Sequence, residues 1–405
     1  MDTGTPFVAA CVDWATRRAS RQQDIPHLLD SYCRFLRSQG VNVRRCNLKT
    51  DTIHPQMWAI RWVWFSERTE PGSINPADIV QRRQYEIDGA FIDETFFRES
   101  ALHSPQYRAS PFYRIEQDGE LFAPIAATGE AQAFPVFNDL AALGCTAYFG
   151  ARLRGFGASH ELVSIAVDNP EGLTAATLEN VRKSAQLFAL PLNLLLQHEI
   201  KTTIARTYIG RDPGQRVCGG MIELGQVVEI EGAIWFSDIR GFTRMSETLA
   251  PAELLAKLNA YYKAVVGAIY AHGGEVLKFM GDAVLAIFPA QSLNGPERAC
   301  AAALEAAAAS RQSPVRNEEL SDGIALHYGV AQYGNIGAAD RLDFTLIGKE
   351  VNLAARAKDL TVKAGAPLVC TRAFKEAART PMRAIGGFDA KGLREPIELF
   401  APQLD

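Results

Sequence analysis

Two aspartates, Asp238 and Asp282, occupy places where a carboxylate is costly unless it has chemistry to do. Asp238 closes the apolar run Ala233-Ile234-Trp235-Phe236 and opens the stretch Ser237-Asp238-Ile239-Arg240-Gly241-Phe242-Thr243. Asp282 lies in Met280-Gly281-Asp282-Ala283, between the short apolar runs Glu275 to Phe279 and Val284 to Phe288. A charge at the end of a buried strand must be paired or must hold a metal ion. Two such carboxylates brought together are the usual protein share of a two-metal phosphoryl or nucleotidyl transfer site. An enzyme is therefore the first expectation.

Other groups surround the pair in sequence. A glycine turn after a buried strand, leading into a helix at Ile239 to Thr243, offers free backbone N–H groups to an anion. Lys278 interrupts an apolar strand four residues before Asp282, and either a nucleotide base edge or solvent would satisfy it. Asn352 and Arg356, four apart, share one helix face. Projecting together, they could stabilise charge developing on a phosphate. Thr345 lies on the strand that leads into that helix through Gly348.

The elements that must position these groups follow a readable order. Strands are expected at Ala233–Ser237, Glu275–Phe279, Val284–Phe288, Ile324–Tyr328, Asp343–Leu346 and Pro367–Cys370. Helices are expected at Pro251–Ala271, Pro296–Ala309 and Glu350–Leu360, with a last hairpin over Met382 to Phe400. Upstream, a helical pattern runs from Val8 to Arg37, followed by strands at Val41 to Leu48 and Trp58 to Phe65. In the latter Trp58, Ile60, Trp62 and Trp64 share a face, which reads as core more readily than as a cofactor pocket. After helical and loop segments come a short helix, Pro135 to Leu143, and paired strands at Thr146 to Arg154 and Glu161 to Asp168. A long helix from about Ala175 to Arg206 follows, with Pro191 as a kink. The glycines and prolines between Tyr208 and Val228 mark a boundary.

With 405 residues, two domains are the natural expectation. Hydrophobic content of 47% and charge of 22% describe a soluble globular chain, and a net charge of −4 gives no support for a nucleic-acid or anionic-membrane partner. No stretch approaches the ~18 apolar residues of a membrane span, and the start lacks a secretion signal. Seven scattered cysteines, none in a Cys-x-x-Cys pair, suit reduced thiols in a cytoplasmic protein.

Taken together, six segments in order resemble the catalytic domain of the class III adenylyl/guanylyl (nucleotidyl) cyclases. They are Phe236 to Thr243, Gly273 to Asp282, Gly334-Asn335-Ile336-Gly337, Asp343 to Gly348, Val351 to Arg356, and Ala390-Lys391-Gly392. The resemblance covers about residues 229–402. It implies an α+β fold, with a ferredoxin-like βαββαβ cyclase domain over 229–405 and a linker or transducer over 206–228. Residues 1–205 resemble, in pattern alone, the GAF-like sensor domains; they are expected as a regulatory domain, or as a dimerisation domain without a ligand.

The resemblance also implies roles. Asp238, Asp282 and the carbonyl of Ile239 would hold two Mg²⁺ or Mn²⁺ ions. The backbone through Gly241, Phe242 and Thr243 would cradle the terminal phosphates, with Lys391 on the triphosphate. Asn352 would position the ribose and Arg356 would stabilise charge during attack. At the base, adenine offers an acceptor at N1 and a donor at N6, whereas guanine offers the reverse. Lys278 can only donate and the Thr345 hydroxyl can accept, so the chain is expected to select ATP. Metal aspartates and base-reading residues come from opposite subunits in this family, which implies a homodimer. A guanylyl or mixed-specificity cyclase is the alternative enzyme, and a nucleotide-binding module without turnover the alternative outside enzymes. A small-molecule ligand of the N-terminal domain would be unidentified.

Overall fold

The structure, a computed structural model, describes residues 6–54, 57–69, 75–127, 129–155, 161–314 and 320–403. The chain divides into two compact units, Met1–Thr203 and Ile204–Asp405.

The first unit contains α1 (Pro6–Asp13), α2 (Ile25–Ser38), β1 (Val43–His54), β2 (Met57–Phe65), β3 (Ile79–Ile87) and β4 (Ala90–Phe97). It continues with α3 (Glu99–Leu102), α4 (Pro105–Arg108), α5 (Pro111–Asp118), β5 (Glu120–Pro124) and α6 (Val136–Ala142). Then come β6 (Ala147–Arg152), β7 (Leu162–Val167) and α7 (Ala175–Tyr208), whose last turn belongs to the second unit. The strands form one antiparallel sheet in the order β3-β4-β2-β1-β7-β6-β5.

The expected helix from Val8 to Arg37 is broken. After α1 the chain passes through a π turn at Trp14–Arg18 and a 3-10 turn at Ala19–Arg21 before α2 begins. The new start is set locally: Asp24 accepts a bond from the His27 N–H at 2.9 Å, and Pro26 occupies the first turn. One face of the sheet, with Cys46, Leu48, Trp62 and Trp64, packs on Leu28 and Tyr32 of α2 and Phe188 of α7. The aromatic stripe is thus core, except that Trp58 is 48% exposed at the strand's start.

The hairpin β3–β4 was read as helix and loop in sequence. It turns at Asp88-Gly89, where both residues have positive φ, 47° and 84°. A two-residue Asp-Gly turn matches the twist of paired strands, and that signal was present in the sequence.

The second unit opens with α8 (Arg211–Cys218), inside the segment expected as a linker. Gly214 explains how a helix fits there. A Cβ at this position would lie 2.6 Å from the Ala205 carbonyl carbon, so only glycine allows the approach. Next come β8 (Val227–Ile239), α9 (Phe242–Thr248), α10 (Pro251–Ala271), β9 (Glu275–Met280), β10 (Ala283–Pro289), α11 (Pro296–Arg311) and β11 (Asp322–Ala338). The chain ends with β12 (Arg341–Ile347), α12 (Lys349–Asp359), β13 (Leu368–Thr371), α13 (Arg372–Ala378), β14 (Met382–Phe388) and β15 (Ile397–Pro402).

The sheet order is β14-β15-β13-β11-β8-β10-β9, with β12 paired to β11. Within it, β8-α10-β9-β10-α11-β11 gives the spatial order β11-β8-β10-β9, antiparallel throughout. That is the expected βαββαβ ferredoxin-like core. The alanine-rich α11 lies close to its neighbours because Ala299, Ala302, Ala303 and Ala306 put little bulk between backbones. Together with Trp235, Phe288 and Tyr261 they form the main core, a rigid base for the strand ends above it.

Candidate active site

Strand register delivers the two aspartates to one place. On β10, Val284 lies opposite Ser237 of β8, so each step back toward the β9–β10 turn meets one residue further along β8. Two steps bring Asp282 to Ile239. The Ile239 N–H donates to Asp282 Oδ2 at 3.0 Å, and Asp238 precedes it on the same strand. Tyr262, from α10, donates its hydroxyl to the Gly281 carbonyl and so ties the turn to the helix.

The charges there are not neutral to each other. Burial raises the Asp282 carboxyl above its ordinary pKa, the Asp238 charge adds to that, and the bond from Ile239 opposes it. Lys358 of α12 donates to Asp238 Oδ2 at 2.6 Å and pairs with Asp359 at 2.7 Å. Burial alone would lower the Lys358 pKa, but its two carboxylate partners outweigh burial and raise it. An internal ammonium thus stands beside the carboxylate pair. Lys358 did not figure in the sequence reading, and a lysine two residues beyond Arg356 carries no spacing signal of its own.

The donor set suits hard divalent cations. Asp238, Asp282 and the Ile239 carbonyl are all oxygen donors. Among the described residues no group of three or more His, Cys, Asp or Glu side chains forms a protein-only cage. A site of one or two carboxylates that leaves coordination positions to substrate phosphates and water is the pattern for Mg²⁺. Two carboxylates and a backbone carbonyl meeting at one place are hard oxygen donors, so the residues fit the group.

The remaining predicted residues fall elsewhere. Gly241, Phe242 and Thr243 follow directly, Gly241 capping α9 without a side-chain bond. Lys278 of β9 pairs with Asp343 of β12. Asp343 and Thr345 lie two apart on β12, so they share a face, opposite the buried Phe344 and Leu346. The structure therefore brings Lys278 onto the Thr345 face through Asp343, a partner the sequence reading passed over although it lay within the quoted motif. Asn352 and Arg356 are both exposed on α12, and Arg356 pairs with Asp359 at 3.5 Å. Lys358, two residues on, points the other way, to Asp238. Lys391 is exposed in the turn between β14 and β15. Among the described residues no hydrogen bond or ion pair joins Lys278, Thr345, Asn352, Arg356 or Lys391 to the aspartate pair.

Comparison with known proteins bears on the second unit. The profile of the adenylate and guanylate cyclase catalytic domain matches residues 229–367, the span that holds the aspartate pair, Lys278, Thr345, Asn352 and Arg356. The second unit carries a class III cyclase catalytic domain. An adenylate cyclase of Anabaena cylindrica is 34% identical over 163 residues, covering 37% of this chain and 31% of that protein. Adenylate cyclase 1 of Rhizobium meliloti is 28% identical over 176 residues, covering 41% of this chain and 26% of the relative. The chain thus spans less than a third of the length of either. Among solved structures, the adenylyl cyclase CyaB from P. aeruginosa aligns with a TM-score of 0.39 and 27% identity, over 44% of this chain and 97% of that one. No helix among the described residues is long and apolar enough to cross a membrane.

Proposed function

We propose that this chain is an adenylate cyclase, forming 3′,5′-cyclic AMP and pyrophosphate from ATP at sites completed by a second copy of itself. The observation that carries the reading is the meeting of Asp238 and Asp282 at Ile239, beside a free glycine turn. Asp238, Asp282 and the Ile239 carbonyl would hold two Mg²⁺ or Mn²⁺ ions. When bound, such ions neutralise the phosphates and favour the ionised 3′-oxygen.

The chain's own groups then do the positioning. The Ile239 and Arg240 N–H groups are already given to Asp282 and to the Ser321 carbonyl, so Gly241, Phe242 and Thr243 supply the N–H groups for the β- and γ-phosphates, and Lys391 adds charge to the triphosphate. Lys278 donates to adenine N1 and the Thr345 hydroxyl accepts from N6. Asn352 holds the ribose. Arg356 meets negative charge on the α-phosphate as the bond from O3′ to phosphorus forms and the bond to the bridging β-phosphate oxygen breaks. The 3′ proton leaves to a substrate oxygen or to solvent, and pyrophosphate departs. The relatives' names support an adenine substrate.

Two further features support the shared site. On α12, Lys358 faces its own Asp238 while Asn352 and Arg356 project outward, so the ribose and phosphate readers are presented to a partner. Phe279 and Ile347, neighbours in sequence of the base-reading region, are 49% and 43% exposed, and exposed apolar side chains of this size suit an interface. The first unit is proposed to regulate this activity.

The test is a product assay of the purified protein with ATP or GTP and Mg²⁺ or Mn²⁺. Cyclic AMP should dominate. The double variant K278E/T345C should lower ATP turnover by about 100-fold while sparing GTP turnover, because mismatched polar groups are left unpaired. An unchanged ATP preference in that variant would remove the base-selection reading.

A further inference from the structure

Two half-buried arginines on the sheet of the first unit each hold a guanidinium nitrogen that has no partner among the described residues. On β1 the side chains of Arg45, Asn47 and Lys49 alternate with Cys46 and Leu48, so they lie on the sheet face away from α2 and α7. Asn47 is opposite Val63 on β2, and Arg61, two residues from Val63, is on the same face. The Nε atoms of Arg45 and Arg61 and the Oδ1 of Asn47 are all shut off from solvent. None has a hydrogen-bond partner among the described residues.

Two of the neighbouring carboxylates are already engaged, while Asp139 acts on Arg45 by charge alone. Asp93 accepts from Arg82 and from Thr95, and Glu116 accepts from Lys49 and Tyr107. Instead, the Arg45 and Arg61 guanidiniums lie over the rings of Phe65 and Phe97, at 5.6 and 5.3 Å. Burial pushes the Arg61 pKa down to about 10, and the Arg45 charge pushes the same way. Burial lowers Arg45 also. Beside them the same face is roofed by α5 and α6, where Phe112, Ile115 and Phe137 pack on Tyr148 and Leu162.

Two guanidiniums on one sheet face, each with a buried Nε that no group accepts, are costly to fold unless something with negative charge reaches them. Their fork of donors matches a carboxylate or phosphate. The unpaired Asn47 Oδ1 asks for the opposite, a hydrogen-bond donor. With Phe65 and Phe97 beneath the guanidiniums, these groups form a polar patch of defined polarity.

We propose that Arg45, Arg61 and Asn47 form a binding site for a small organic oxyanion that also carries a hydroxyl or amine hydrogen. The oxyanion lies between the two guanidiniums and the hydrogen is given to Asn47 Oδ1. The inference is independent of the reading of the cyclase domain.

The full-length protein is titrated calorimetrically with glycerol 3-phosphate and with sulfate, which has no hydrogen to donate. Wild type should bind both. R45Q and R61Q should each weaken both anions by at least about tenfold, since a charge-assisted bidentate contact is lost. N47L should weaken glycerol 3-phosphate and leave sulfate unchanged. K391A, altered at the proposed triphosphate contact of the other unit, should bind both as wild type does. Without added anion, R61M should melt no lower than wild type, because it removes a guanidinium whose buried Nε has no partner. Should R61Q fail to fold, R61K retains the charge but not the fork and should show intermediate affinity. Absence of binding in wild type, or equal binding in wild type, R45Q and R61Q, overturns the proposal. So does a lower melting temperature of R61M with anion binding intact, which makes the arginines structural.

Discussion

Lys358 sets the electrostatics of the aspartate pair as the structure stands. Its ammonium, 2.6 Å from Asp238, supplies the positive charge that two adjacent carboxylates need. A divalent cation taking Asp238 as a ligand must compete with that ammonium, which has Asp359 as an alternative partner at 2.7 Å. Replacing it by a neutral side chain of similar length, K358Q or K358M, is therefore expected to tighten Mn²⁺ binding by about tenfold, the loss of one close competing charge near the surface. Free Mn²⁺ counted by electron paramagnetic resonance checks this on the protein alone, without turnover. Weaker Mn²⁺ binding in K358Q would mean that the lysine organises the carboxylates rather than competing for them. Sequence could place Asp238 and Asp282 because strand-end carboxylates are conspicuous against apolar runs. It could not place Lys358 or Asp343, whose partners are 120 and 65 residues away along the chain and are set by the packing of α12 on β8 and of β12 near β9.

At the scale of elements, the cyclase domain was far more legible than the first unit. Its strands are short apolar runs with glycine turns, and its helices begin at prolines placed where no intrahelical bond is lost, Pro251 and Pro296. In the first unit the exposed edge strand β3, rich in Arg, Gln and Glu, hides the alternation that marks a strand, and only the Asp88-Gly89 turn betrays the hairpin. One buried group joins elements of the second unit in a way that pH can test. His327 of β11 is 1% exposed, with Nε2 at 2.7 Å from Glu350 of α12 and Nδ1 at 2.8 Å from the Thr371 hydroxyl that caps α13. The neutral ring satisfies both neighbours, donating to Glu350 and accepting from Thr371. Burial lowers its pKa, and Glu350 opposes this only in part. The unfolded chain therefore binds a proton near about pH 6.5 before the folded one does. Stability attached to His327 is intact above that value and declines as pH falls through the interval below it. Urea midpoints should show this decline in wild type and a shallower one in H327Q. At neutral pH H327Q should itself cost about 1–3 kcal/mol, the penalty for leaving buried partners unsatisfied. Parallel pH profiles for the two proteins would sink the assignment.

For the whole molecule, the arrangement on α12 has a consequence that single variants cannot reveal. Asp238 takes its lysine from one side of the helix, while Asn352 and Arg356 stand exposed on the other, so one chain offers two half-sites facing different ways. In the proposed two-fold dimer the aspartate half of one copy would meet the arginine half of its partner, giving two equivalent sites. D238A and R356A should then each be inactive as homodimers. In a mixed dimer, one site inherits both defects and the other inherits neither. Random assembly of equal amounts makes half the dimers mixed, each with one working site, so co-expression should restore roughly a quarter of wild-type activity. Differently tagged copies purified in tandem would isolate the mixed dimers, where recovery should approach roughly half. Inactivity of tandem-purified mixed dimers would place a complete site within one chain. That outcome would require α12 to turn Arg356 toward Asp238, displacing Lys358 from the carboxylate it now holds.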